Sequence, residues 1–113
     1  MFIKRRRFSP PMVTFHKAST LEQLQPGKAM DITIGDEMIA LYNVDGKIYA
    51  TTDICPHSGG SLGQGELCEG IVTCPLHGWK FKVESGQCQN MPVISIKTYP
   101  VKVEGNDILV GIE

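Results

Sequence analysis

Two short segments carry the residues most able to do chemistry: Cys55-Pro56-His57-Ser58-Gly59-Gly60 and Cys74-Pro75-Leu76-His77-Gly78-Trp79. Each offers one thiol and one imidazole with glycine close behind, and sixteen residues lie between His57 and Cys74. Thiolate is a soft, charged ligand suited to iron–sulfur clusters, zinc or copper(I), whereas imidazole suits zinc, copper and iron. Two loops that each present one of both can enclose a compact metal unit from two sides. The glycines let backbone N–H groups come close, which matters most if the unit contains sulfide. Two Cys and two His also satisfy a structural zinc ion, although Cys-x-His is an uncommon zinc knuckle. A Cys55–Cys74 disulfide would leave both histidines without a role. Four cysteines are too few for a disulfide scaffold, and Cys clustered with His points to metal first.

The flanking sequence is patterned as short strands. Met12-Val13-Thr14-Phe15 reads as a first strand, and Ser19-x-x-Glu22 has capping-box spacing, which predicts one helical turn at 19–24. Pro26-Gly27 then turns the chain. Residues 28–34 alternate weakly and lead through Gly35-Asp36 into Met38–Tyr42. Asp45-Gly46, set between that run and Ile48-Tyr49-Ala50, is a hairpin turn because the pair tolerates positive φ. A second hairpin is written in Tyr99–Glu104, Gly105-Asn106 and Ile108–Val110. Between them, residues 53–92 hold seven of the 12 glycines, three of the seven prolines and all four cysteines. The architecture expected is all-β, a small antiparallel sandwich or barrel with an inserted, loop-rich site subdomain. Residues 12–113 are expected to form one domain behind a disordered basic tail at 1–11.

Charge and length exclude several classes. The formal net charge of −1 conceals four basic residues at Lys4–Arg7 and a balance of −5 from Phe8 onward. An acidic body is unsuited to nucleic acid and suited to docking on a basic protein surface. No apolar run approaches the roughly 18 residues of a membrane span, and Phe8-Ser9-Pro10-Pro11 stands where a signal peptide would have its apolar region. The chain reads as cytoplasmic. Gly63-Gln64-Gly65 starts like a dinucleotide loop, but Gly70 falls two places late and no helical pattern follows. Cys68 and Cys88 are expected as small buried hydrophobes, His16 as a surface or edge residue, and Asp53 and Glu66 as turn caps, with support of the metal-site loop as their alternative role.

The four-ligand pattern Cys55-x-His57 and Cys74-x-x-His77, with Gly78-Trp79 and Phe81, resembles the Rieske family. The likeness extends over about residues 13–112, including Pro26-Gly27 and Tyr99-Pro100-Val101. It implies one 2Fe–2S cluster, with Cys55 and Cys74 on one iron and His57 and His77 on the other, the latter near the surface. An oxidised unit with two thiolates and two neutral imidazoles has no net charge, so it takes up an electron more readily than a four-cysteine cluster. High-potential family members carry a disulfide across the cluster, at positions filled here by Gly60 and Leu76, and a serine where this chain has Trp79. Their absence implies a low-potential, ferredoxin-type centre. In the family an aromatic shields the site, which suits Trp79 and Phe81. The resemblance implies an electron carrier between a flavin-containing reductase and a terminal oxygenase, not itself an enzyme. The alternatives are the small subunit of an NAD(P)H nitrite reductase, of the same fold, and a structural zinc module.

Overall fold

A computed structural model describes residues 13–113, so the expectations for the tail at 1–11 and for Met12 lie outside the described residues. Ten strands follow in order: β1 Thr14–Thr20, β2 Ala29–Ile34, β3 Glu37–Val44, β4 Lys47–Thr52, β5 Glu66–Cys68, β6 Ile71–Thr73, β7 Lys80–Lys82, β8 Thr98–Tyr99, β9 Val101–Glu104 and β10 Asp107–Ile112. They form three antiparallel sheets, ordered β1-β10-β9, β2-β3-β4-β8 and β5-β6-β7. The only helical element among the described residues is a 3-10 turn at Leu62–Gln64. The expected all-β antiparallel architecture is what the chain adopts.

β3 explains how the sheets come together. Its apolar run is unbroken from Met38 to Tyr42, the pattern of a strand covered on both faces. Because side chains alternate along a strand, Ile39 and Leu41 enter one core and Ala40 and Tyr42 the other. The first core adds Leu24, Ala50, Tyr99, Ile108 and Val110 and joins the four-stranded sheet to β1-β10-β9 as a sandwich. The second lies under the β5-β6-β7 sheet and contains Leu62, Val72, Phe81, Val83 and both Cys55 and Cys74. The two cysteines are thus part of the packed interior that β3 supports from beneath.

The hairpins form as their turns dictate. Asp45 and Gly46 both take positive φ, 51° and 96°, between β3 and β4, as a two-residue hairpin turn requires. Three expectations change. β1 runs on through Ser19 and Thr20, which pair with Ile108 and Asp107, and in place of the expected helical turn residues 21–23 form a simple hydrogen-bonded turn. Thr20, not Ser19, then caps it, its Oγ1 accepting from the Gln23 amide at 3.3 Å. The run from Tyr99 to Glu104 is not one strand: Tyr99 pairs with Ala50, while Val101 onward pairs with β10. Pro100, lacking an N–H for a ladder, marks where the chain passes from one sheet to the next. Finally, Cys68 is exposed. It ends β5, where Leu67 turns inward against the core and its neighbour must face out. Cys88 is fully buried, as expected.

Candidate metal centre

Two loops project from this framework at one end. The first spans residues 54–61 after β4, and an isolated antiparallel bridge between Ile54 and Ser61 closes its base. Within it the Cys55 amide donates to the Gly60 carbonyl at 2.9 Å, and the Gly59 amide to the Cys55 carbonyl at 2.8 Å. Asp53 fastens the loop from below and does more than cap a turn. Its buried carboxylate accepts from the Ser61 hydroxyl at 2.9 Å and the Gly63 amide at 2.8 Å. Glu66 lies exposed on β5.

The second loop, residues 74–79, joins β6 to β7 and repeats the same two bonds. The Cys74 amide donates to the Trp79 carbonyl at 2.7 Å, and the Gly78 amide to the Cys74 carbonyl at 3.2 Å. The histidine comes third after the cysteine here and second in the other loop. That extra step puts His77 in the left-handed region at φ +70°, a conformation uncommon outside glycine.

Side chains from the two loops interlock. Cys55 and Cys74 lie side by side, 1% and 2% exposed. Burial pushes the Cys55 thiol up. The Ser58 and His57 amides, the Ser58 hydroxyl and the Cys74 thiol outweigh it, and the net shift is downward, toward thiolate. His57 and His77 are exposed, with ring centroids 5.4 Å apart at an interplanar angle of 82°. The Trp79 ring is stacked on His57 with centroids 4.2 Å apart and planes 6° from parallel. Trp79 therefore covers the histidine itself, and only Phe81 is fully buried below. The Ser58 hydroxyl reaches across to the Cys74 sulfur at 3.3 Å. A side chain at Gly60 would meet that same sulfur at 2.9 Å and Leu76 Cγ at 3.1 Å.

The two cysteines and two histidines are therefore brought together as two pairs, sulfurs inside and imidazoles outside. Among the described residues, no three His, Cys, Asp or Glu side chains gather around a single point as one ion would need. Sequence reasoning overlooked Ser58 and undervalued Asp53. For Ser58 the available signal was a hydroxyl directly after His57.

A model of the family described as Rieske [2Fe-2S] domain matches residues 14–100. This chain belongs to the Rieske family. It is 38% identical over 100 residues to the biphenyl dioxygenase ferredoxin subunit of Pseudomonas sp. (strain KKS102), covering 87% of this chain and 92% of that protein. It superposes with TM-score 0.78 on a chain from the complex of reduced oxygenase and oxidised ferredoxin in carbazole 1,9a-dioxygenase, at 30% identity, covering 85% and 91% of the two chains. An NADH-dependent nitrite reductase small subunit from Mycobacterium tuberculosis superposes with TM-score 0.82 at 24% identity, covering 90% and 97%, a likeness of fold alone.

As a Rieske domain the chain carries one 2Fe–2S cluster, and its homologues are electron-carrier components. The site suits that group. A Rieske centre replaces two cysteines by histidines on one of its irons, and this end of the molecule supplies two adjacent buried sulfurs and two outward imidazoles. No helix of the described residues is long and apolar enough to cross a membrane.

Proposed function

We propose that Cys55 and Cys74 bind one iron and His57 and His77 the other, and that the chain carries single electrons from a flavin-containing reductase to a terminal oxygenase in the cytoplasm. When bound, the cluster supplies a one-electron couple at roughly −150 to +300 mV. The observation that carries this reading is the pairing of donors, with sulfurs in the core and imidazoles at the rim. His57 and His77 then give a partner a short path to the site, while the core behind Cys55 and Cys74 keeps water from the sulfurs.

The partners follow from chemistry and from relatives. Two are named as ferredoxins of dioxygenase systems, one of them in a complex with its oxygenase. The acidic balance from Phe8 onward suits steering toward a basic docking surface. A low potential is supported by Leu76, which packs against Gly60 where the high-potential disulfide would stand.

The test is anaerobic purification, then iron and acid-labile sulfide analysis, visible spectra and low-temperature EPR before and after dithionite. A red-brown protein with an anisotropic S = 1/2 signal only after reduction is expected. Fully iron-supplied protein without labile sulfide would overturn the reading. Voltammetry should place the midpoint toward the negative end of the family range, and a value above about +100 mV would contradict the low-potential assignment.

A further inference from the structure

Ser58 stands on the first loop, yet its hydroxyl oxygen lies 3.3 Å from the sulfur of Cys74 on the second. Both groups could donate in isolation. A cysteine that binds metal is a thiolate without a proton and can only accept. The Gly60 amide donates to the Ser58 oxygen at 3.4 Å. That amide occupies the oxygen as an acceptor and leaves the single O–H proton for sulfur; the Cys55 sulfur is also near the hydroxyl, but Cys74 is the sulfur at hydrogen-bond distance, 3.3 Å. Ser58 is half-buried and Cys74 only 2% exposed, so water competes weakly for the bond. Hydrogen bonds to charged acceptors are stronger than neutral ones, and a low surrounding dielectric strengthens them further.

We propose that Ser58 is a positioning residue that sets the reduction potential, donating a hydrogen bond from one loop to the Cys74 sulfur of the other. The inference rests on the assignment of Cys74 as a ligand. Its physics is electrostatic. The positive end of the O–H dipole faces the sulfur, so it favours the state of the site that carries one more negative charge. No proton moves; the O–H bond stays on Ser58 in both redox states. The same bond ties the loops together at their inner edge, where Gly60 leaves no room for a larger side chain.

The experiment compares Ser58→Ala and Ser58→Thr with the unaltered protein by spectroelectrochemistry, after iron and labile sulfide have been quantified in each. Ser58→Ala should lower the reduced-to-oxidised ratio at fixed potential about tenfold, or 59 mV for a one-electron couple. Its sulfur-to-iron charge-transfer bands should move to longer wavelength. Ser58→Thr, which keeps the hydroxyl, should restore both. Should Ser58→Ala not load, Ser58→Gly removes the same hydroxyl from a loop already rich in glycine. A fully loaded Ser58→Ala or Ser58→Gly protein with unchanged potential would overturn the inference and leave the ligand assignment standing. Failure of both to load while Ser58→Thr loads normally would also overturn it, assigning Ser58 to assembly. Absence of labile sulfide in the unaltered protein would sink the ligand assignment itself.

Discussion

The two loops are closed by the same pair of backbone bonds, yet they are held from below in different ways and ask different things of their residues. The second loop simply caps a hairpin: β6 and β7 pair through Thr73 and Lys80 directly beneath it. The first has only one isolated bridge at its base and depends on a buried carboxylate, Asp53, with a hydroxyl and an amide fastened to it. The sixth position differs as well, Gly60 in one loop and Trp79 in the other. Glycine is needed where Cys74 and Leu76 press in, whereas Trp79 reaches back to stack on His57. Each loop thus leans on the other, and neither site half is complete alone.

The comparison can be broken most severely at the cysteines, where the loops should behave alike. Cys55→Ala and Cys74→Ala should each abolish the cluster, read as loss of labile sulfide and of visible colour. A loaded single variant would show that the sulfurs are not both ligands. Asp53→Ala should separate the loops. It strands two donors in a buried site, which costs about 1–3 kcal/mol, and should appear as faster bleaching in denaturant. A bleaching rate equal to that of the unaltered protein would mean that the isolated bridge suffices. Glycine offers a finer test of likeness. Gly59 and Gly78 take φ +77° and +75° with open space around a would-be Cβ. Alanine at either should therefore cost only backbone strain, about 1–2 kcal/mol, and equally in both. A large inequality would show that the loops differ in stiffness despite their shared bonds.

The sequence made the two Cys/His segments and the hairpins legible because both are local. Cys55-x-His57 stands out within a few residues by residue type, and Asp45-Gly46 by its tolerance of positive φ. What stayed hidden depends on contacts between distant residues. Nothing local tells that Ser58 meets Cys74 or that Asp53 anchors Gly63. Nothing local splits Tyr99 from Val101 either, since alternation continues across Pro100 and only the pairing partners change. Ser19 was misjudged for a related reason: the capping spacing is real, but pairing with Ile108 holds Ser19 in the strand. Cys68 looked like a core residue by type, and the two-residue period of a three-residue strand turned it outward.

The smallest expected effect lies at the base of the second loop. Lys80 Nζ donates to Thr73 Oγ1 at 2.9 Å, across the very pair on which that loop stands. Position alone would suggest a counterpart of Asp53. Exposure argues otherwise: water replaces the bond on either group when it breaks, and exposed cross-strand pairs are worth about 0.2–1 kcal/mol. The backbone ladder between β6 and β7 remains whatever the side chain. Lys80→Ala should therefore bleach only slightly faster than the unaltered protein and well below the rate of Asp53→Ala. Equal rates for the two variants would mean that the second loop is anchored by side chains after all, and that the contrast between a hairpin and a carboxylate anchor is false.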